Sequence, residues 1–494
     1  MELEAQVAKR AKSIFTQDIE GLADAATALH VRLQDRIRRA ILNGSFAPRS
    51  RLPSSRLLAR DFKVSRHTIE LTLDNLQAEG FIERKPRMGT FVAATLPQRE
   101  LAPMRVPTER RDSITYKPSR RGAAAALYPP QSEPAGSWAF KPSIPALDLF
   151  PKRLWAKMVA RSFVRHDINP WEYGISAGLK DLRRAITVHV AATRGVICTA
   201  EQVIVVTSTQ QAVHLAAHVV CDAGDTVWFE EPGHPMVRHV LQSAGLEVVP
   251  VPVDADGFDP QLALWKSPRA KLVHVTPSHQ YPTGVLMPLE RRIALLEWSR
   301  THDGWILEDD YDGDFQYEGR PLASLQALDP GGRVIYMGSF SKMMFPALRL
   351  AYIVVPEVLV SVFDSMKHLA DGFTALHTQA ALAEFIEEGH LAAHLRNMRI
   401  EYDVRRRALI KAIAPLEGAL RLGPTNAGLH VAAYLKIPLS DEEIVNHCAA
   451  RGIYLHPLSR YFADKPQPGL LFGFACASPE QIARGMAIVE SAFH

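Results

Sequence analysis

The segment Gly338-Ser339-Phe340-Ser341-Lys342-Met343-Met344-Phe345-Pro346-Ala347-Leu348-Arg349 sets a lysine just after an apolar run, among small hydroxyl residues. Desolvation there lowers the pKa of an ammonium, and the neutral amine can form a Schiff base with an aldehyde. Ser339, Ser341 and Arg349 would then bind a phosphate, which suits a guanidinium especially well. A second segment, Ile306-Leu307-Glu308-Asp309-Asp310-Tyr311, closes an apolar run with carboxylates. Asp309 at the end of a strand can hold a pyridinium nitrogen protonated, which makes the ring an electron sink. Tyr311, two residues on, can reach a phenolic oxygen on that ring. In the third segment, Thr207-Ser208-Thr209-Gln210-Gln211-Ala212, a strand-to-helix junction offers backbone N–H groups to the same phosphate. Each segment alone has a plainer reading as surface chemistry, an acidic loop or a helix cap. Together, in this order and at strand ends, they form one constellation.

A different chemistry is written near the other end. The stretch RLPSSRLLARDFKVSRHTIELTLDNLQAEGFIERKPRMGTFVA places Ser65, Arg66, His67 and Thr68 at the start of a helix. A helix-turn-helix turns such side chains toward base edges in the major groove, and basic residues around it grip phosphate. Arg66 is the candidate for a bidentate contact with guanine. Arg51 and Arg56 are placed for backbone or base contact, and Lys85 and Arg87 at a hairpin tip suit the minor groove or flanking phosphates. A solvated three-helix interaction module is the plainer alternative, and wing, caps and basic tip in register argue against it.

The elements that must carry these side chains can be read from periodicity. Leu29, Leu33, Ile37, Ile41 and Leu42 fall near one face of a helix over Leu29–Leu42, closed by Asn43-Gly44. Ser54 or Ser55 can cap a short helix through Asp61, Ser65 the next, and Gly80 stops it. Leu57, Leu58, Phe62, Val64, Ile69, Leu73 and Leu76 supply a small core. Phe81-Ile82-Glu83 and Thr90-Phe91-Val92 read as two strands of a hairpin. From Ala139 onward, strand-like runs at 203–206, 226–230, 271–276, 304–309 and 334–340 alternate with helical patterns. That alternation predicts an α/β domain with a mostly parallel sheet and ligand residues at strand ends.

The chain therefore divides into an extension (1–26) with no assigned role, a winged helix-turn-helix (27–94), a linker (95–138) and a large domain (139–494). Recurrent prolines, Arg110-Arg111, Arg120-Arg121 and an alanine run at 123–126 make the linker basic, and predict an extended tether. The 494 residues are 47% hydrophobic and 22% charged, the balance of a soluble globular protein. Four scattered cysteines, Cys198, Cys221, Cys448 and Cys476, fit a reducing compartment and no structural zinc or other metal site. With neither a signal peptide nor a membrane span in the sequence, a cytoplasmic location is expected. The net charge of +4 is too mild to point to nucleic acid by itself.

The stretch from LQDRIRRAILNG, beginning at Leu33, through LPSSRLLARDFKVSRHT to GTFV, ending at Val92, resembles the GntR family of winged-helix regulators. Glu70 departs from a helix position that is often basic there. Residues 139–494 resemble a fold-type I aminotransferase through DLFPKRLW, GLKDLRRAI, EEPGHP, TPSHQYPTG, EDDYDGDF and YMGSFSKMMFPALRLAY. The whole chain is similar to the MocR subfamily of GntR regulators. That resemblance implies pyridoxal 5'-phosphate held as an aldimine on Lys342, with Asp309 at the pyridine nitrogen and Tyr311 at the phenolic oxygen. It puts Arg349, Ser339, Ser208, Thr209 and Gln210 around the phosphate, and has Tyr173 reach the partner subunit's phosphate. It implies a homodimer with swapped DNA-reading domains.

Three positions depart from active aminotransferases. The ring-stacking aromatic is His234. Tyr281 stands where asparagine usually bonds the ring oxygen, a task open to His279 or Gln280. Leu471 aligns with the arginine that clamps a substrate carboxylate, and losing it forfeits a pair worth roughly 1.5–3 kcal/mol. The expected function is a DNA-binding transcriptional regulator that senses pyridoxal phosphate or an amine or amino-acid effector through Lys342. The alternatives are a working aminotransferase with an accessory DNA-binding module, and a repressor whose large domain is purely structural.

Overall fold

The computed structural model describes residues 28–96, 117–126, 136–164, 169, 171–319 and 323–493. The N-terminal extension and most of the expected linker lie outside these residues. The chain forms two compact units, Met1–Tyr116 and Lys117–His494.

In the first unit, helices Leu29–Leu42, Ser55–Asp61 and Arg66–Ala78 precede a hairpin of β1 (Ile82–Lys85) and β2 (Gly89–Val92). The hairpin is antiparallel, with Ile82 opposite Val92. Ser54 rather than Ser55 caps the second helix, and Ser65 caps the third by accepting from the Thr68 amide. Leu33, Ile37, Ile41, Leu58, Ile69, Leu73, Leu76, Ile82 and Val92 share one core. Leu29 and Leu42, expected on that face, are exposed. They sit at the two ends of the first helix, beyond the reach of so small a core.

The second unit is built on an eight-stranded sheet of β3 (Val203–Val206), β4 (Thr226–Glu231), β5 (Glu247–Asp254), β6 (Gly257–Phe258), β7 (Ala270–Val275), β8 (Trp305–Asp309), β9 (Val334–Ser339) and β10 (Ala351–Val354), in the order β3-β10-β9-β8-β7-β4-β5-β6. The pairs from β9 through β8, β7 and β4 to β5 are parallel. β10 runs antiparallel to both β3 and β9. The central strands are buried on both faces, which is why they read as unbroken apolar runs and not as alternations. A smaller antiparallel sheet, β11 (Leu420–Leu422), β12 (His430–Leu435), β13 (His456–Pro457) and β14 (Gly469–Gly473), has the order β11-β12-β14-β13.

Residues Arg120–Ala126 form a helix, where the proline-rich composition predicts an extended tether. The alanines have the highest intrinsic helix propensity, and Ser119 Oγ accepts from the Gly122 amide at its start. A side chain at Gly245 would meet the Arg121 guanidinium, so this helix lies against the large domain. Among the described residues, no helix is long and apolar enough to cross a membrane.

Candidate functional site

The carboxyl ends of β8 and β9 bring Asp309 and Lys342 to one cleft. Gly338 in β9 lets the backbone pass directly over the Tyr352 hydroxyl, which a Cβ would approach to 2.3 Å. Ser339 then caps a four-residue helix, Phe340–Met343, its hydroxyl accepting from the Ser341 amide at 3.2 Å. Lys342 rides on that helix and makes no hydrogen bond or ion pair among the described residues. Burial pushes its ammonium below the usual lysine range, and the carboxylates of Asp312 and Asp309 oppose this. A partly desolvated, uncommitted amine is what condensation with an aldehyde requires.

Four carboxylates crowd the end of β8, and three are already engaged. Glu308 accepts from the amides of Leu325 and Gln326 at 2.8 and 3.0 Å, and burial pushes its carboxyl up to about 7. Asp310 binds Arg194 Nε at 2.6 Å and the Tyr336 hydroxyl at 2.7 Å. Asp312 Oδ2 meets His279 Nδ1 at 3.0 Å. Asp309 differs: each of Asp310 and Asp312 leaves one buried oxygen bare but bonds through the other, whereas Asp309 makes no hydrogen bond among the described residues, its Oδ2 lying 3.6 Å from His274 Nε2 and its buried Oδ1 having no partner. A buried carboxylate oxygen with no donor calls for one.

Tyr311, as its phenol, stands on His279, 2.9 Å from Nδ1 and 3.0 Å from the carbonyl. Of the two stand-ins weighed for the ring-oxygen contact, Gln280 is fully engaged. Its amide nitrogen donates to the carbonyls of Pro232 and Tyr281, both at 2.8 Å, and its oxygen accepts from the Thr283 hydroxyl at 2.6 Å. His279 keeps a buried, unpartnered Nε2. Gly428 makes room for that imidazole, since a Cβ there would fall 2.0 Å from His279 Cε1. His234 stacks on Tyr281, with ring centroids 4.9 Å apart. It sits deep in the domain yet stays open to solvent through the cleft. Burial, then the Lys342 charge, pushes its imidazole down to about 3, so the ring is neutral.

At the end of β3, Ser208 caps the helix Thr209–Val220, its hydroxyl accepting from the Gln211 amide. The N–H groups of Thr209 and Gln210 are left at the positive helix end, where an anion is favoured. Arg349 follows a short turn with φ of 53°, exposed and without an ion pair among the described residues. Such a left-handed arginine carries strain of about 1 kcal/mol, a frequent mark of a working residue. Tyr173 is not among the cleft contacts. It is 95% exposed, edge-on to Phe373.

Leu471 is fully buried in β14, opposite Ala432 and His456, and packs with Tyr281, Tyr311, Leu458 and Tyr461. His430, His456 and Tyr461 escaped the sequence reading. They come from the small sheet and its loops, hundreds of residues from Thr207 and without a local motif.

In the first unit Arg51, Arg56, Arg66, His67, Lys85 and Arg87 are all exposed. Ser65 and Thr68 spend their hydroxyls on each other, 2.7 Å apart, and on the helix cap. Glu70 has Arg66 Nε at 3.7 Å and Arg84 at 3.1 Å, and Arg84 also reaches Asp74 at 2.8 Å. Arg84, which the sequence reading passed over, thus ties the hairpin to the third helix. A groove of about 810 Å³ between them is lined by Arg51, Ser55, Glu70, Arg84, Lys85 and Arg87.

Residues 165–486 match the family model described as aminotransferase class I and II, and residues 29–92 that of bacterial regulatory proteins, gntR family. The chain is 38% identical to the probable rhizopine catabolism regulatory protein MocR of Rhizobium meliloti, over 95% of this chain and 94% of that one. It is 30% identical to the HTH-type transcriptional regulator TauR of Rhodobacter capsulatus, over 94% and 96%. The large domain is similar to the solved structure of LysN, an alpha-aminoadipate aminotransferase of Thermus thermophilus complexed with N-(5'-phosphopyridoxyl)-L-leucine. That match has a TM-score of 0.69 at 26% identity and covers 75% of this chain and 96% of that one. With both halves matched in one continuous alignment, the chain belongs to the MocR subfamily of gntR-family regulators, a DNA-binding head joined to an aminotransferase-type domain.

Proposed function

We propose that this protein is a pyridoxal-phosphate-dependent transcriptional regulator. Its large domain senses the coenzyme or an amine, and its head binds operator DNA. It acts in the cytoplasm as a homodimer. The observation that carries this reading is the pairing of an uncommitted, desolvated Lys342 with the unpartnered Oδ1 of Asp309. When bound, pyridoxal phosphate supplies an aldehyde for amines and an electron-withdrawing ring. Lys342 Nζ would bond the aldehyde carbon, and Asp309 Oδ1 would hold a proton at the ring nitrogen. Arg349, with the Thr209 and Gln210 amides and Ser208, Ser339 and Ser341, would bind the phosphate. Neutral His234 would lie against the ring, and Tyr311, held by His279, would orient its phenolic oxygen. Tyr173, exposed here, would reach the phosphate in the partner subunit.

A ligand can switch such a protein only by binding its DNA-competent and DNA-incompetent states unequally. Displacement of Lys342 by an incoming amine is a change in contacts of that kind. A working aminotransferase is the second reading, and the complete Lys342–Asp309–Arg349 set favours it. The apolar burial of Leu471 counts against it. The test is an absorbance spectrum of purified protein with added coenzyme, run beside operator binding. The wild type is expected to gain a visible band and Lys342→Ala to lack it. A band that persists in the variant removes the lysine from its role.

A further inference from the structure

We propose that the cleft takes, as the molecule it senses, a primary amine with a neutral, hydroxyl-bearing body and no carboxylate. The inference rests on the reading above and concerns the wall of rings around His430, an imidazole that packs on Tyr281 and Tyr311 and lies within electrostatic reach of Lys342. Leu471 lies fully buried behind those rings. Its strand neighbours are Ala432 and His456, and the rings packed on it are Tyr281, Tyr311 and Tyr461. At the position where the aminotransferase resemblance calls for a carboxylate-clamping arginine, the side chain is therefore apolar and packed among rings.

Three arginines of the domain are committed elsewhere, and Arg349, which has no ion pair among the described residues, is the one assigned above to the phosphate. Arg194 is locked between Asp310 at 2.6 Å and Ser278 at 2.5 Å. Arg460 forms a two-point pair with Glu442 at 2.6 and 2.5 Å, and Arg399 donates to the Asp314 carbonyl at 2.7 Å. The charges buried around the cleft include Asp309 and Asp312, which already act on Lys342. A further carboxylate brought into this low-dielectric space would meet repulsion with no fork to receive it, whereas an ammonium would be attracted.

The polar groups of the wall suit hydroxyls. Tyr281 and Tyr461 share a hydrogen bond at 3.2 Å, and Tyr461 in turn meets His456 Nδ1 at 2.6 Å. Burial pushes the Tyr281 phenol up to about 12 and raises that of Tyr461 well above the usual tyrosine range, so both are neutral. Each can donate and accept, as a ligand hydroxyl does, while a carboxylate only accepts. Beside them His279 Nε2 and His430 Nδ1 are buried without partners, two further polar atoms that a hydroxylated ligand can satisfy. On entry the amine's nitrogen would bond the coenzyme's aldehyde carbon, and Lys342 Nζ would be released from it. Two protons would pass from the incoming ammonium to the departing lysine, which leaves as its own ammonium, with no net oxidation.

The test uses full-length, coenzyme-loaded protein and matched pairs of probes: 2-amino-1,3-propanediol against L-serine, and 4-amino-1-butanol against 4-aminobutanoate. The visible band is followed as each is added, with operator binding as a second readout. In each pair the amino alcohol is expected to act at a concentration about tenfold or more below its acid partner, a preference of about 1.4 kcal/mol. Leu471→Arg is expected to reverse the order, and Tyr461→Phe to weaken the amino-alcohol response while the band remains. A wild-type protein that prefers the amino acids, or whose band neither class moves, overturns the proposal alone. A protein that gains no band with coenzyme overturns the reading beneath it as well.

Discussion

Asp309 and Asp310 are adjacent, chemically identical and both buried, yet the fold gives them opposite work. Asp310 spends one oxygen on both Arg194 and Tyr336, whereas Asp309 makes no hydrogen bond among the described residues. Neutralising each should therefore fail differently. Asp309→Asn keeps the side-chain shape and is expected to weaken or shift the coenzyme's visible band, with little change in melting temperature. Asp310→Asn leaves the Arg194 guanidinium buried without its counter-charge, a loss of about 3 kcal/mol. It should lower the melting temperature well before it touches the spectrum. Equal effects from the two would contradict this division. The distinction was half legible in the sequence. The acidic cluster after an apolar run pointed to Asp309, but its other carboxylates could be assigned only once Arg194 and His279 were seen beside them. Both partners lie on other elements, and no local pattern announces them.

Among the elements, the helix Arg66–Ala78 shows what sequence can and cannot say. Its cap was readable because Ser65 and Thr68 are three residues apart, a spacing fixed by helix geometry. Its tie to the hairpin was not, because Arg84 meets Glu70 and Asp74 only after the chain turns back. Glu70 stands where basic residues are common in this family, and here it anchors the hairpin while standing close to Arg66. Two losses follow for two variants. Ser65→Ala should cost the head about 1 kcal/mol, as lost caps do, in denaturant unfolding. Arg84→Ala breaks only partly exposed ion pairs, so its stability cost should stay near or below about 1 kcal/mol. Its larger effect should be on operator affinity, through a hairpin no longer held to the third helix. Titration of labelled operator DNA with each variant separates the two, and an Arg84→Ala protein with unchanged affinity would remove the tie from DNA reading.

At the scale of the whole molecule, the large sheet was foreseeable because its parallel strands are buried on both faces and read as apolar runs. The small sheet was not, since β11, β13 and β14 are short and take their partners from distant sequence. The interface of the proposed dimer is harder still for one chain to display, and the surface offers one candidate for it. Val164, Trp171, Tyr173 and Ile175 are all strongly exposed within one short stretch. Large apolar side chains gathered in this way mark an interface more often than they mark nothing. On the proposed dimer, Tyr173 lies where one subunit meets the coenzyme phosphate of the other, so assembly and coenzyme binding should fail together. Trp171→Glu combined with Tyr173→Ser is expected to move the sedimenting species from twice the 54.8 kDa chain mass toward that mass at micromolar concentration. The same protein should bind coenzyme less tightly and bind poorly to paired operator half-sites, which require two heads at a fixed spacing. A double variant that stays dimeric and keeps its visible band would place the interface elsewhere and leave the exposed tyrosine without a part in the site.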